Sequence, residues 1–358
     1  MPRVESQLVE SLDGQIVDGV PVLKPAWTCD LGDYVVALSA TKALSAAITG
    51  AGELLLVTSD GTITQRVAAH RGGAQCLELS QNGEWVVTGG QDGFVRLWDC
   101  RSAKLVWESS HWSSLGAGGT PCWVDGVHFS PNGRRIVAHA GKSVVVFDTE
   151  GALLVTLPAA PATVSSVTWD RTDDWLLAAA YGGVWRHKLG EVGAKKHYGW
   201  KMAPTALALS PDSKWIATGS QDCTVHVWNA KTGEDLAMSG YPQKIKELAW
   251  SPDSRLLATG GGQVVTVWSF SGKGPAGSDP IVGQGHVEAI SQLAFNGDGK
   301  WLGSVGKDGA VFFWKVGRTL EAKALGLRGV SCTAAQWQSN QFVTGYATGH
   351  LIAWNSPE

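Results

Sequence analysis

Five tryptophans close five copies of one short pattern: Trp98, Trp228, Trp268, Trp314 and Trp354. Three weaker copies end at Val57, Phe147 and His187, and successive anchors lie 41, 49, 40, 41, 40, 46 and 40 residues apart. A period near forty constrains the chain more than any local motif. Each unit is then one supersecondary element that buries its apolar face only against its neighbours. One copy, residues 205–229, reads TALALSPDSKWIATGSQDCTVHVWN, and another, residues 289–315, reads AISQLAFNGDGKWLGSVGKDGAVFFWK. Each holds three short apolar runs separated by Ser-Pro-Asp-Ser, Asn-Gly-Asp-Gly, Gln-Asp or Lys-Asp-Gly. Such runs, bounded by turn residues, predict antiparallel strands. A looser fourth run follows the anchor, as at Lys104–Glu108, Ala152–Leu157 and Thr319–Leu325.

Four strands per forty residues is the size of one propeller blade. The expected fold is therefore all-β: a single closed β-propeller of four-stranded antiparallel blades. Eight anchors predict eight blades. The first copy has Val57 at its anchor and no turn Asp; without it, seven remain. Trp354 lies four residues before the end of the sequence, which leaves the last copy no room for an outer strand. Residues around Val20–Trp27 precede the first inner strand (Tyr34–Ser39) and have no blade of their own. The N-terminal strand is thus expected to complete the last blade and remove two open edges. Residues 1–15 read as a flexible lead and 16–358 as the propeller.

The repeat resembles that of the WD-repeat β-propellers. Trp-Asp occurs as Trp98-Asp99, with near forms Phe147-Asp148, Trp228-Asn229 and Trp354-Asn355, and Gly-His occurs in full as Gly285-His286. His70 and Asp92 are 22 residues apart, as are His286 and Asp308. The resemblance implies a hydrogen-bonded network inside the blade. Its members would be His70, Thr88, Asp92 and Trp98 in one blade, and His286, Ser304, Asp308 and Trp314 in another. A closed network satisfies a buried carboxylate and indole that are costly unpaired. The fifth copy keeps Thr218, Asp222 and Trp228 but has Trp200 where the His belongs. Copies one, three, four, six and eight lack most of the network and are expected to rely on apolar packing.

Composition narrows the function classes. The chain of 358 residues is 44% hydrophobic and 17% charged, enough for one large core, and carries a net charge of −3. The longest basic runs are the pairs Arg134-Arg135 and Lys195-Lys196, so no nucleic-acid footprint is visible. The N-terminus MPRVESQLVESLDG has no apolar segment of the secretory kind, and no stretch is long enough to insert in a membrane. Six scattered cysteines without a C-x-x-C pair suit reduced thiols and a cytoplasmic location. Gly141-Lys142-Ser143 is not a phosphate loop, because Ile136 stands where the first glycine belongs and the segment joins two strands. The glycine runs 116–119 and 260–262 fail the same context test. No nucleophile elbow, H-E-x-x-H or paired-carboxylate motif occurs, so no catalytic residue and no enzyme activity is expected.

Most of the 18 tryptophans fall on repeat positions and read as inter-blade packing. They include the strand-b starts Trp85, Trp175, Trp215 and Trp301 and the strand-a ends Trp169, Trp250 and Trp337. Trp27, Trp112, Trp123 and Trp200 read as lying in the connections that enter inner strands. Tyr241 and Arg328 fall at matching places. The first long gap carries an insertion at His111–Cys122, and the second one at Ser269–Ile281. In the family resembled, the first lies on the top, docking face and the second on the bottom. These six residues are therefore the candidate docking rim, since interface hot spots favour Trp, Tyr and Arg. The expected function is a non-catalytic protein-interaction scaffold that docks a peptide or partner protein on its top-face loops. It would work as a monomeric fold within a larger complex, without a cofactor, nucleic acid or membrane insertion. The alternative is a propeller that binds a small ligand or zinc at the upper channel. Cys29, Cys122, Cys332 and His111, with Cys76, His70 and His286, would then converge there; Cys29 reads as standing in the His place of the first copy.

Overall fold

The computed structural model describes residues 20–115, 119–272 and 274–357. The expected lead over residues 1–15 lies outside them, as do residues 116–118 of the first insertion and Lys273 of the second. The described residues form eight four-stranded antiparallel sheets arranged in a ring. In each blade strand a is innermost, strands b and c follow, and d is outermost.

The first copy, the weakest in sequence, is a complete blade: Val35–Ala40, Leu44–Thr49, Glu53–Thr58 and Ile63–Ala68. Burial explains why its poor motif suffices. Strand b is buried on both faces over Ser45–Thr49, strand c over Leu54–Val57, and only strand d alternates with solvent. A two-sided apolar strand needs near-continuous hydrophobic residues and no special anchor. Val57, at 0% exposure, fills the anchor place.

The last blade takes strands a to c from Cys332–Gln338, Gln341–Tyr346 and His350–Asn355. Its strand d is Trp27–Asp30, paired antiparallel with Trp27 opposite Ala353 and Asp30 opposite His350. The closing strand thus begins where the segment expected from sequence, Val20–Trp27, ends. Residues before it do a second job. Leu23 N donates to Leu325 O at 2.7 Å and Leu325 N to Pro21 O at 3.0 Å, which ties the outer strand of blade 7 (Leu320–Leu327) to the same segment.

Closing the ring leaves one edge of every strand a facing the channel. Side chains of the preceding blade cover it at several joints. Ser39, Glu78 and Gln336 hold one register position in blades 1, 2 and 8. They accept the backbone N–H of Leu79 at 3.0 Å, Phe129 at 2.7 Å and Ala40 at 3.0 Å in the blade that follows. Near the other end, Ser291 donates to Cys332 O and Thr333 to Val35 O, each at 2.7 Å. The strand-a tryptophans add a third set: Trp169, Trp250 and Trp337 donate their indole N–H to His128 O, Ala208 O and Ala294 O of the previous blade. The seam between blades 8 and 1 therefore carries the same bonds as interior joints.

Packing between blades fixes their spacing. Trp98, Trp228, Trp314 and Trp354 are each at most 5% exposed. Trp268 is half-buried. The second insertion folds beneath the ring, where Phe270 packs edge-on against Trp215 at 5.3 Å and Trp250 at 4.7 Å.

Two outcomes are expected. Trp314→Ala removes a side chain that is 1% exposed and should cost about 3–5 kcal/mol in denaturant unfolding. The second concerns Glu247 at the start of strand a in blade 6 (Glu247–Trp250). Burial pushes its carboxyl up to about 7, against the smaller opposing effects of Lys246 and Lys307. A folded pKa above the unfolded value means a contribution complete below about 4.5 and lost as pH rises through about 7. Glu247→Gln should therefore gain melting temperature relative to the parent as pH is raised from about 5 to about 8; a constant gap would contradict this.

Candidate interaction face

In an antiparallel a–b–c–d sheet, the start of a, the b–c turn and the end of d lie at one end. Every d-to-a connection of this ring therefore shares one face with the b–c turns, here called the upper face. Two upper-face sites hold the network of indole, hydroxyl, imidazole and carboxylate. In blade 2, Trp98 Nε1–H donates to Thr88 Oγ1 at 3.0 Å, and His70 spans Thr88 at 2.8 Å and Asp92 at 2.9 Å. In blade 7, Trp314 Nε1–H donates to Ser304 Oγ at 2.8 Å, and His286 spans Ser304 at 2.8 Å and Asp308 at 3.2 Å. Burial works to raise the Asp92 carboxyl, but hydrogen bonds from His70 and Arg96 win and hold it well below the usual range. Burial likewise lowers the His70 pKa, which favours the neutral ring. Glycine makes room for each histidine. A Cβ on Gly90 would meet His70 Nδ1 at 2.2 Å, and one on Gly306 would meet His286 Nδ1 at 2.7 Å.

Blades 6 and 8 keep more of this arrangement than their sequences suggest. In blade 6, Tyr241 replaces the histidine: its hydroxyl meets Thr259 Oγ1 at 2.8 Å and accepts from Trp268 Nε1 at 2.7 Å. In blade 8, Trp354 donates to Thr344 Oγ1 at 3.0 Å, and Thr344 meets the Tyr346 hydroxyl at 3.2 Å. Tyr346 stands where blades 2 and 7 have glycine, and the His place is taken by Arg328. These blades were expected to rely on apolar packing. A tyrosine hydroxyl can complete the same chain of bonds, and a His-centred motif does not reveal it.

The six residues read as a docking rim separate into different environments. Trp123 is 52% exposed on the upper face. Trp112 is placed otherwise: at 1% exposure it lies in the apolar cluster with Leu97, Ala138 and Phe147 between blades 2 and 3. Its insertion folds inward because Ala138 and Phe147 leave room that Thr88 and Trp98 fill in blade 2. Trp200 is half-buried and stacks on His226, centroids 3.9 Å apart, in the place of the missing histidine of blade 5. Tyr241 is engaged as described, and Arg328 is half-buried at the upper face. Trp27 is not in a connection to an inner strand. It opens strand d of blade 8 at the lower end, and its Nε1–H donates to Gln341 Oε1 at 3.2 Å. Pairing with the lower end of strand c sends it there.

The upper face also carries residues that the repeat pattern does not mark. Tyr181, in the b–c turn of blade 4, is 60% exposed; Tyr34 and Met202 are 45% and 36% exposed. Lys142 and Lys201 lie exposed in adjoining turns. The signal for Tyr181 was its place in a b–c turn, Tyr181-Gly182, where the better copies carry Gln-Asp or Lys-Asp.

The candidate ligands for zinc do not gather. Among the described residues no group of three His, Cys, Asp or Glu side chains is placed to hold a metal ion. Cys29 is not in the His place; that place belongs to Leu31, whose N–H donates to Gly349 O as His70 N–H does to Gly52 O. Cys29 sits within the outer strand of blade 8. The Cys332 thiol donates to backbone oxygens of Ala334 and Gly345. Burial raises the thiols of Cys29, Cys76, Cys122 and Cys332, which favours the protonated form that does not ligate. His70 and His286 are occupied by the networks. His111 packs edge-on against Trp112, centroids 4.8 Å apart.

Comparison with known proteins agrees with this geometry. The family model for the WD domain, G-beta repeat, matches residues 61–99, 195–229, 236–269 and 280–315, each segment ending beside an anchor tryptophan. The chain is 24% identical over 267 residues to eukaryotic translation initiation factor 3 subunit I of Nematostella vectensis, covering 68% of this chain and 79% of that protein. It is 27% identical over 221 residues to the intraflagellar transport protein 80 homolog of Mus musculus, covering 60% of this chain but 27% of that one. In fold it is similar to the crystal structure of the C-terminal WD40 domain of Sif2, with a TM-score of 0.78, 16% identity, and coverage of 95% and 99% of the two chains. With eight blades in a closed ring, WD repeats matched in four segments and a WD40 domain of like shape, the chain is an eight-bladed β-propeller that carries WD repeats.

Proposed function

We propose that this protein is a non-catalytic scaffold that docks a peptide or partner protein on its upper face. Trp123 carries the reading. All eighteen tryptophans are described, and Trp123 alone is exposed. An exposed indole costs hydration that a partner can recover, and such rings are frequent hot spots. Tyr181 and Met202 extend the same face across blades 4 and 5, with Lys142 and Lys201 as a polar rim. Trp200, Tyr241 and Arg328 would act as the floor, held by their packing and hydrogen bonds. The relatives support this class of role: one is named as a subunit of a translation initiation factor, and another as an intraflagellar transport protein homolog.

The partner we propose is protein rather than nucleic acid, because the chain has no basic run longer than two residues. Six unpaired cysteines suit a reducing compartment, and we place the protein in the cytoplasm.

Capture from lysate with the full chain as bait, read by mass spectrometry, tests the docking face. Trp123→Ala with Tyr181→Ala should lose the captured partner while the melting temperature stays with the parent. Retention of the partner by this folded double variant would contradict the reading. Trp112→Ala should behave in the opposite way, with a stability loss of about 3–5 kcal/mol in denaturant unfolding, as for other buried tryptophans.

A further inference from the structure

Charge on the upper face is not spread evenly. From blade 3 to blade 7 its connections and turns expose five lysines. Lys142 is in the b–c turn of blade 3, Lys201 in the connection into blade 5, Lys244 and Lys246 in that into blade 6, and Lys307 in the b–c turn of blade 7. The exposed carboxylates of the same arc are two, Asp125 and Glu288, one toward each end. Asp222 and Asp308 are half-buried and already engaged. Asp222 accepts from the Thr224 N–H and hydroxyl, and Asp308 accepts from Val287 N–H and holds His286. Glu247 lies under the influence of Lys246 and Lys307, but burial holds its carboxyl up at about 7, so it is only a partial counter-charge. Among the described residues none of the five lysines is in an ion pair. Elsewhere Lys188 and Lys195 share Glu191, and Lys214, Lys300 and Lys323 pair with Asp212, Asp298 and Glu321.

Backbone bonds fix this array. Ala160 N–H donates to Lys142 O at 3.0 Å, Trp200 N–H to Gly182 O at 3.0 Å and Gln221 N–H to Ala203 O at 3.1 Å. Ile290 N–H donates to Gly262 O and Lys307 N–H to Ala289 O, each at 2.9 Å. Connections and turns are thereby tied into one rim that also carries Trp123, Tyr181 and Met202. Like charges held on one rigid face repel each other, and an anionic partner relieves that repulsion. Because the backbone is already ordered, binding has only side chains left to order.

We propose that the partner of the upper face is an acidic protein segment with apolar anchors. Its carboxylates pair with Lys142, Lys201, Lys244, Lys246 and Lys307, and its apolar side chains sit on Trp123 and Tyr181. The proposal rests on the docking role proposed above and names the chemistry of what docks. A nucleic acid fits this face less well. Its phosphates follow one another about every 3.4 Å along a strand. The lysines are spread over blades 3, 5, 6 and 7, with Asp125, Asp222 and Glu288 on the same arc. An extended peptide can place carboxylates against separate lysines and fill the intervals with apolar side chains, since its successive side chains alternate in direction.

Fluorescence anisotropy with the full chain tests this. The probes are a fluorescein-labelled peptide of Glu and Asp with one Phe and one Leu, the same peptide with Gln and Asn in place of the acids, and a single-stranded oligothymidine of equal charge. The acidic peptide should bind saturably, about tenfold tighter than its amide counterpart, and more weakly as salt is raised from about 50 to about 200 mM. Exposed ion pairs are individually weak, so four lysines are changed together. Lys142→Glu, Lys201→Glu, Lys244→Glu and Lys246→Glu in one chain should weaken the acidic peptide about tenfold or more, with the melting temperature of the parent. The same four changed to Gln serve if the charge reversal fails to fold. No binding of the acidic peptide, equal affinity for the two peptides, undiminished binding to the folded variant, or tighter binding of the oligothymidine would each overturn the proposal. Equal affinity for both peptides, with both lost on Trp123→Ala with Tyr181→Ala, would strike the acidic partner and leave the docking face standing. Acidic-peptide binding that survives that double variant would instead overturn the docking role, and the anchors proposed here with it.

Discussion

Everything in this molecule depends on how a ring of sheets disposes of its inner edges. Each strand a has one edge bonded to strand b and one left toward the channel. Left bare, such edges would carry unpaired backbone groups in every blade. Here side chains of neighbouring blades meet them at several joints: Ser39, Glu78 and Gln336 of the preceding blade as acceptors, Ser291 and Thr333 of the preceding blade as donors, and three tryptophans of the following blade reaching back to carbonyls. Each set of bonds links a blade to its neighbour in one sense, so it has no natural end until the ring closes. Closure at blade 8 by Trp27–Asp30, with residues 21–23 bound along blade 7, completes that circuit.

Rigidity at the inner strands leaves the upper ends of the blades free to vary. The space beside each strand-c anchor must still be filled. Two blades fill it with the full polar network, and in blades 6 and 8 a tyrosine hydroxyl completes the hydroxyl–indole chain. Two others use large rings, Trp112 and Trp200, whose indole nitrogens are buried without a partner. Tryptophans off the repeat therefore split between packing and display. What remains displayed, Trp123 with Tyr181 and Met202, spans neighbouring connections and turns of blades 3 to 5. A wide, stiff platform with a few exposed rings is what the proposed docking role requires.

The ring, its blade number and its closing strand were legible in the sequence because the anchors recur at nearly constant spacing and because a segment around Val20–Trp27 precedes the first inner strand without a blade of its own. The individual sites were less legible. Trp112 and Trp123 flank one Gly-rich insertion, and nothing local says that one turns inward and the other outward. That depends on Ala138 and Phe147, distant in sequence, leaving a gap of the right size. Trp27 was misplaced because pairing with the end of strand c, rather than proximity to an inner strand, decides its height. The network roles of Tyr241 and Tyr346 escaped notice because a hydroxyl from a tyrosine reaches the same partners as an imidazole from a different backbone position. Blade 4 showed in the sequence only as a weak anchor, His187.

Hydrogen–deuterium exchange of the free chain tests the closed circuit most directly, resolved by peptide. Segment 26–31 and its partner 350–355 should exchange as slowly as the paired outer strands within other blades, and both should be released together with the inner strands at the unfolding transition. Exchange of 26–31 within seconds, while strands a of blades 1 and 8 stay protected, would show that the ring is not held by its N-terminal strand.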